Sequence, residues 1–450
     1  MSIFNNHRDP QAVATITPEL RNARIADSLA FAIQAMLLVA LLTSIPSLLP
    51  ILGANAKQVA LLVLGLSGVA AFGSLFITWV AEKTYSAFAI RVALGMLIVS
   101  SFALTFGPAA PASVRLGVFA ACTMFYGFSV GAVDATTNMQ AVAIQRRYGR
   151  IILSSFHACW SAGAIVGSLV VSLGQWIGEK AGYGPPGGGA EDPYLYARYM
   201  WTMVVLIVLL SIIIAVISPK MLKYGDDKEQ KAKMKAAQKE AAKKFNPPKK
   251  IFAALCIAMV FSYTIDFGIQ NWSSVFLTDV EHATAKIAPL GVAAYTILGM
   301  VARLVGDRLA RRFGESRTLL GAGILALVGL IIVVTAQTAL VAVIGFAIVG
   351  CGVPIVAPLC FSTIGYLVPF DQVDEGVGRL NLFNYLGTIT GGGVTGLLSG
   401  GNMIIVIYVF IAMAIGLILL SPFFKRPSNL EAVEKGEDIE IDVKVTDIGK

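Results

Sequence analysis

MLKYGDDKEQKAKMKAAQKEAAKKFNPPKK, residues 221–250, is one of the two longest polar stretches in a chain of 450 residues. Eleven lysines lie between Lys220 and Lys250. The alanine, lysine, glutamate and glutamine content favours a helix, which the NPP sequence at 246–248 should end. Because long apolar runs lie on both sides, the stretch is predicted to divide the chain into two halves. It is either a solvated linker or a basic helix lying on anionic lipid headgroups.

The composition of the two halves is that of an all-α membrane protein. Hydrophobic residues make up 56% of the chain and charged residues only 14%, whereas soluble proteins carry roughly 25% charged residues. A helix needs about 20 apolar residues to cross a bilayer. Twelve such segments, numbered here as spans 1 to 12, are predicted at 25–48, 58–80, 87–107, 115–144, 150–175, 199–218, 251–278, 288–310, 317–336, 339–368, 377–399 and 402–423.

The basic residues predict the orientation of these spans. With a cytoplasmic N-terminus, the inner loops collect most of the arginines and lysines, as expected for inside loops. The protein is therefore expected in the bacterial plasma (inner) membrane, with both termini on its cytoplasmic side. We expect two six-helix bundles with inverted repeats. The predicted order along the chain is a cytoplasmic N-terminal segment 1–24, a first bundle 25–218, a cytoplasmic Lys-rich linker 219–250, a second bundle 251–423 and a disordered cytoplasmic tail 424–450.

Several functional classes are disfavoured by the same observations. The net charge of +8 comes from membrane loops rather than a basic groove, so no nucleic-acid partner is predicted. The five cysteines lie in apolar runs without metal-ligand spacing, so no disulfide, metal or cofactor is predicted. One histidine within a span and no HExxH-like pair argue against an enzyme, and no filter signature indicates a channel.

GAVDATTNMQ, residues 131–140, places an acid inside span 4. Asp134 lies twelve residues before Arg146, which puts it roughly 18 Å from the inner end of the helix, near the middle of the membrane. Burial there disfavours the charged carboxylate, so Asp134 could load and release a proton. The alternative is a structural hydrogen bond between helices. The rarity of acids within spans favours the functional interpretation.

Other polar residues are predicted at comparable depth. Asp266 in span 7 is a second candidate for proton coupling. His157 in span 5 could relay protons, bind a ligand hydroxyl or cap a neighbouring helix. Amides and aromatics at one depth are typical of a site for a hydroxyl-rich ligand, and the candidate substrate-binding residues are Gln34, Asn138, Trp160, Gln270, Asn271, Trp272, Asn381, Asn384 and Tyr385.

RLVGDRLARRFG, residues 303–314, carries a resemblance to the major facilitator superfamily, together with the twelve spans and the long inner loop. The resemblance implies a latch between the two bundles in the outward-open state, formed by Arg303, Asp307, Arg311 and Arg312. The corresponding place in the first half, 73–84, has no aspartate, so the latch is expected to be one-sided.

Residues 127–167 resemble a bacterial branch near the fucose:proton symporters. This resemblance implies that Asp134 takes part in proton coupling. The second acid that it implies, on helix 1, has no match at the right depth because Asp27 lies too near the inner end. Asp266 is the expected substitute.

The expected function is proton-coupled symport of a small hydrophilic solute, most simply a sugar or polyol, by a monomer that alternates access between the bundles. The expected partners are this solute, protons and membrane lipids. A proton-coupled efflux antiporter for drugs or other amphipathic compounds is the alternative, and it predicts a cavity poor in amides. A sensor that binds ligand without transport also stays open.

Overall fold

The computed structural model describes residues 16–54, 56–180, 193–222, 249–283, 287–368, 372–394 and 402–425. Helices make up nearly all of these ranges, and no strand occurs within them. Residues 223–248 of the Lys-rich stretch and the tail from 426 lie outside the described residues. Predictions about that stretch, the tail and the domain boundaries therefore stay predictions.

The helices of the first half follow spans 1 to 6. They are α1 (Pro18–Leu52), α2 (Ala56–Lys83), α3 (Ser86–Phe106), α4 (Arg115–Tyr148), α5 (Leu153–Lys180) and α6 (Pro193–Ile217). The chain leaves α4 through Gly149, whose φ of 62° lies in the left-handed region where glycine carries no steric cost. This turn aims α5 back alongside α4.

The second half contains α7 (Lys249–Asp279), α8 (Leu290–Thr335), α9 (Ala339–Gly350), α10 (Val356–Leu367), α11 (Val373–Ile389) and α12 (Met403–Leu420). The helix α8 joins spans 8 and 9 across a kink at Gly314, where φ is 78°. A short 3-10 helix, Val353–Ile355, separates α9 from α10 within span 10. The helix α11 continues into a π-helical turn at Thr390–Val394.

Within the described ranges, ten helical segments are long and apolar enough to cross a membrane. One of these, Leu290–Thr335, covers most of two predicted spans, and α11 overlaps the first part of the predicted span 377–399. The prediction of an all-α membrane protein is therefore confirmed.

Close approach of helix backbones fixes the core of the first half. A side-chain carbon added at Gly131 of α4 would lie 1.8 Å from the carbonyl oxygen of Ala70 on α2. One added at Gly163 of α5 would lie 2.1 Å from that of Ala32 on α1. Small residues at such crossings let helices pack backbone to backbone. They hold α4 and α5, which carry Asp134 and His157, firmly in place.

Among the described residues, the two halves meet chiefly along five helix pairs. The pairs are α2 with α11, α5 with α8, α4 with α11, α4 with α10 and α5 with α10. The polar side chains described next lie along these contacts.

Candidate functional site

The carboxyl group of Asp134 lies where α4 of the first half meets α11 of the second. Its Oδ2 atom accepts hydrogen bonds from Nδ2 of Asn384 at 3.0 Å and from the hydroxyl of Tyr385 at 3.1 Å. Its Oδ1 atom lies 3.5 Å from Nδ2 of Asn138, one turn along α4. Three predicted site residues therefore converge on this acid, and two of them belong to the opposite half.

Neighbouring amides hold the donors of α11 in place. The side chain of Asn384 also contacts Oδ1 of Asn381 at 3.3 Å. The Nδ2 atom of Asn381 donates to the hydroxyl of Ser74 on α2 at 3.2 Å. Since Asn381 and Asn384 are buried, this network fixes their orientation.

Two oxygen atoms beside Asp134 have no hydrogen-bond partner among the residues that the structure describes. They are Oε1 of Gln34 and Oδ1 of Asn138, and both are buried. The orientation of each amide is fixed by its nitrogen: that of Gln34 faces the carbonyl of Val130 at 3.4 Å, and that of Asn138 faces the carbonyl of Asp134 at 2.8 Å. Because the nitrogens face acceptors, the unpaired atoms are the amide oxygens, which require a donor.

Asp266 on α7 lies in a different setting. Its Oδ1 atom accepts from the hydroxyl of Tyr295 at 2.6 Å and from Nε2 of Gln270 at 3.0 Å. Its Oδ2 atom lies 3.7 Å from Nη2 of Arg303. This carboxyl group has a cation and two donors, all from the second half.

Arg303 connects this cluster to the first half. Its Nη1 atom donates to the hydroxyl of Ser161 on α5 at 2.6 Å. Its Nε atom donates to the carbonyl of Pro354 at 3.2 Å, in the break between α9 and α10. Proline at this break cannot continue a helical hydrogen-bond ladder. The predicted latch residue Arg303 therefore lies with Asp266 rather than with Asp307.

His157 is buried on α5 between two aromatic rings. Its ring centroid lies 5.2 Å from that of Phe31 on α1 and 6.2 Å from that of Phe361 on α10. The Nε2 atom has no hydrogen-bond partner within the described part of the chain. The nearby Trp160 packs against the apolar core. His157 is thus available to a proton or ligand that enters the space between the halves.

The predicted residues of span 7 divide between two roles. Trp272 donates from Nε1 to the carbonyl of Gly391, in the π-helical turn, at 3.1 Å. Asn271 is exposed and donates to the carbonyl of Phe267 on its own helix at 2.6 Å. The structure does not bring Asn271 or Trp272 into contact with Asp134.

A second contact between the halves lies at the arginine-rich end, defined here by Arg146, Asp307 and Arg311. The carboxyl group of Asp307 accepts from the backbone N–H groups of Ser154 at 2.7 Å and Ser155 at 2.9 Å. These groups belong to the first turn of α5, where an N–H group lacks a helical partner and a negative charge is favourable. Arg311 donates to the carbonyl of Ile151.

Two residues of α4 add to this contact. Gln145 donates to the hydroxyl of Ser362 on α10 at 2.9 Å, and Arg146 donates to the carbonyl of Val368 at 2.6 Å. Arg312 lies instead over the ring of its neighbour Phe313, at 5.2 Å. Of the four predicted latch residues, Asp307 and Arg311 contact the opposite half at this end.

A comparison with protein families settles the class. Residues 145–392 and 290–445 match the Major Facilitator Superfamily, and together they span more than half of the chain. The chain belongs to the Major Facilitator Superfamily. The resemblance stated from residues 303–314 is thereby confirmed.

Relatives and solved structures agree with this superfamily assignment. The chain is 24% identical over 379 residues to an uncharacterized MFS-type transporter of Yersinia pestis, covering 84% of this chain and 88% of that protein. The proton:xylose symporter XylE, solved with 6-bromo-6-deoxy-D-glucose, has a TM-score of 0.69 at 10% identity and covers 92% of this chain and 98% of its own. The E. coli fucose:proton symporter FucP has a TM-score of 0.66 at 15% identity, covering 90% and 100%.

Membership of the superfamily confirms the coarser predictions. The protein is a multi-pass membrane transporter that acts on a small molecule, and it is not an enzyme. At these identities the two symporter structures show the fold alone.

Sequence reasoning missed several residues that line the contacts between the two halves or the cluster around Asp266. Tyr295 and Ser161, which contact Asp266 and Arg303, were not predicted, and neither was Gln145, which contacts Ser362 of the opposite half. A serine or tyrosine in an apolar run is common, so its sequence signal is weak. Gln145 beside Arg146 at the end of span 4 offers the clearest signal, because a polar pair there faces the other half.

Proposed function

We propose that this transporter is a proton-coupled symporter of a small neutral polyhydroxy solute, a sugar or polyol, in the bacterial inner membrane with both termini cytoplasmic. The observation that carries the proposal is the setting of Asp134. A half-buried carboxyl group accepts two hydrogen bonds from the opposite half, beside two buried amide oxygens that lack donors among the described residues.

Protonation of Asp134 changes the contact between the halves. A carboxylate offers only acceptors, so both Asn384 and Tyr385 can donate to Oδ2. A protonated carboxyl group still accepts through its carbonyl oxygen but has lost its negative charge, and hydrogen bonds to a charged acceptor are roughly twice as strong as those to a neutral one. Loading a proton therefore weakens a bond between α4 and α11, and alternating access requires such a differential contact.

The unpaired oxygens favour a solute rich in hydroxyl groups. Oε1 of Gln34 and Oδ1 of Asn138 need donors, and an unpaired buried acceptor costs about 1–3 kcal/mol. Sugar hydroxyls supply donors of neutral charge, whereas an amphipathic cation without N–H groups supplies none. The fold neighbours XylE and FucP are named as proton symporters of xylose and of fucose, which agrees with this proposal.

We assign different roles to the other predicted residues. Asp266 serves as the counter-ion that holds Arg303, because the guanidinium and two donors already occupy its oxygens. Asp307 and Arg311 act as the latch that keeps the cytoplasmic end closed. Asp134 is the proton carrier.

The test uses purified protein in proteoliposomes with a pH dye inside. Neutral sugars and polyols, zwitterionic amino acids and hydrophobic cationic drugs are added outside, to the native chain and to Asp134→Asn. We expect a sugar or polyol to acidify the lumen for the native chain and not for the variant. Glu375→Gln is the matched control, since that acid lies in an exposed pair with Arg379, and it should behave as the native chain.

Two outcomes contradict the proposal. Proton movement driven by the cationic drugs alone would identify an antiporter. Sugar-driven acidification that persists in Asp134→Asn would remove Asp134 as the proton carrier and leave it as a structural acceptor.

A further inference from the structure

The predicted cytoplasmic end carries more positive charge than its acids balance. The excess lies in four side chains, called here the arginine cluster: Arg24 on α1, Arg150 between α4 and α5, and Arg308 and Arg311 on α8. Two members belong to the first half and two to the second. The cluster therefore lies across the contact between the halves at this end.

A buried tyrosine holds the two first-half members together. The guanidinium carbon of Arg24 lies over the ring of Tyr148 at 5.3 Å from its centroid, and that of Arg150 lies over the same ring at 5.8 Å. A ring face attracts a guanidinium group through its positive charge. Arg24 also donates to the hydroxyl of Ser155 at 3.2 Å. Two positive charges are thus held against one side chain.

The second half adds its two charges next to this pair. Arg311 donates to the carbonyl of Ile151, the residue that directly follows Arg150. It interacts electrostatically with the other three members of the cluster. Arg150 and Arg308 are exposed. A ligand that arrives from the cytoplasmic side can therefore reach guanidinium groups of both halves.

The acid beside the cluster does not balance it. Asp307 is the described acid that acts on Arg311, but both of its oxygens accept from the N–H groups of Ser154 and Ser155. None of the four arginines forms an ion pair with a described residue. Like charges in proximity repel one another, so closing this end without a further anion works against that repulsion.

The chemistry of the cluster selects the anion. A guanidinium group presents a planar fork of N–H donors that fits phosphate oxygens two at a time. A phosphate group carries three strong acceptor oxygens and about two negative charges. A carboxylate has two oxygens and one charge, so it can satisfy fewer of these arginines at once. The cluster therefore fits a phosphate group better than a carboxylate.

We propose that the arginine cluster binds a phosphate group that bridges its first-half and second-half members and so holds the cytoplasmic end closed. The phosphate group belongs either to a soluble phosphorylated compound or to an anionic lipid headgroup at the membrane surface. The two pairs of charges separate when the halves part, so a ligand that contacts both pairs stabilises the closed state. This site goes beyond the proposed symport and depends neither on the solute nor on Asp134.

The first measurement is the binding of inorganic phosphate. Purified protein in detergent is dialysed to equilibrium against radiolabelled phosphate, with sodium chloride keeping the ionic strength constant so that screening is equal throughout. We expect Arg150→Gln to weaken binding about tenfold, because it removes charge-assisted hydrogen bonds to the anion. Arg150→Lys keeps the charge without the planar fork and should bind with intermediate affinity.

Lys83→Gln is the matched control. It removes the same unit of charge from an exposed position at the end of α2, a helix that packs chiefly against α4 and α11. Its affinity for phosphate should equal that of the native chain. A loss as large as that of Arg150→Gln would assign the binding to overall charge and overturn the site.

The second measurement follows opening of the cytoplasmic end. The variant Val142→Cys, in a background whose five native cysteines are replaced, places a thiol where α4 packs against Gly365 of α10. Phosphate should slow its alkylation by a polar maleimide about fivefold, the lower end of the coupling between two sites. Arg24→Gln and Arg150→Gln should each remove this slowing.

Two arms distinguish the sources of the phosphate group. Slowing by inorganic phosphate in detergent identifies a soluble phosphorylated compound. Slowing in nanodiscs of phosphatidylcholine with phosphatidylglycerol, relative to phosphatidylcholine alone and without any effect of inorganic phosphate in detergent, identifies the lipid headgroup. Either result supports the site, provided that Arg150→Gln removes it.

Three results overturn the inference. They are alkylation that neither phosphate nor phosphatidylglycerol slows, slowing that persists in Arg150→Gln, and phosphate binding that leaves the alkylation rate unchanged. Both measurements omit the solute and the proton gradient, so none of these results bears on symport. Loss of sugar-driven acidification would in turn leave the phosphate site standing.

Discussion

Asp134 and Asp266 are two acids near the middle of their helices, yet their surroundings differ in kind. Asp134 accepts from an amide and a phenol of the opposite half, and it has no ion pair with any described residue. Asp266 accepts from its own half and has Arg303 as a counter-ion. A carboxyl group whose partners are neutral and belong to another body can exchange its proton and thereby move that body. One that is paired with arginine is a fixed element of its half.

The largest expected effect comes from removing the cation beside Asp266. Arg303→Met should lower the free energy of unfolding by about 3 kcal/mol, because a largely enclosed carboxylate, 13% exposed, loses its counter-ion. Thermal unfolding in detergent, followed by circular dichroism, measures the change. The double variant Arg303→Met with Asp266→Asn should recover most of the loss, and a double variant no more stable than the single one would contradict the pairing.

A slightly smaller loss is expected where α4, which carries Asp134, crosses α2. Gly131→Ala places a methyl group 1.8 Å from the carbonyl oxygen of Ala70 and should cost about 2 kcal/mol by overpacking. Gly117→Ala on the same helix is the matched control, because nothing lies within 4 Å of its added carbon. Equal stability of the two variants in the same unfolding assay would show that this crossing is not tight.

Removing the charge of Asp307 should weaken the closed state of the proposed latch by roughly 1–2 kcal/mol, which is the contribution of a charged helix cap. Asp307→Asn weakens the bonds to the N–H groups of Ser154 and Ser155, so the cytoplasmic end should open more often. In a background whose five native cysteines are replaced, a cysteine introduced at Val142, a buried position of α4 that packs against Gly365 of α10, reports the opening through its rate of alkylation by a membrane-impermeant maleimide. An unchanged alkylation rate would mean that Gln145 and Arg146 suffice to close this end.

The smallest effect is expected at the phenol beside Asp134. Tyr385→Phe removes one of two cross-half bonds and should weaken the contact by about 1 kcal/mol. The same alkylation assay should then show about fivefold more opening. Tyr408→Phe, an exposed tyrosine on α12, is the control. Equal rates for the native chain and Tyr385→Phe would place the coupling on Asn384 alone.

Much of the fold could be predicted because each helix that crosses the bilayer needs an apolar run of about 20 residues, which is easy to recognise in a sequence. Every predicted span has a helical counterpart within the described residues. The break between α9 and α10 and the continuous α8 were not predicted, since span 10 is uniformly apolar and Gly314 sits in a charged segment where a loop was the natural expectation. These features depend on packing and on one left-handed residue rather than on hydropathy.

The sequence predicted the depth of the candidate site residues in the membrane, but it did not predict which residues hydrogen-bond to one another. Helical spacing placed Asp134, Asn138 and Asn384 near one level, and the structure brings them together. Spacing cannot tell which half a donor comes from, so the difference between Asp134 and Asp266 was invisible. Arg303 illustrates the limit: a motif grouped it with Asp307, while its side chain reaches Asp266 and Ser161.

Most hydrogen bonds of the proposed latch at the arginine-rich end go to main-chain atoms. Asp307 reaches two N–H groups, Arg311 a carbonyl, and Arg146 another carbonyl. Main-chain groups are present in every residue, apart from the missing N–H group of proline, so Ser154, Ile151 and Val368 can be substituted during evolution without breaking the closure. A genetic search for second-site suppressors of an Asp307 variant should therefore find few at these facing positions. Suppressors should arise instead in the helices that set the distance between the two halves.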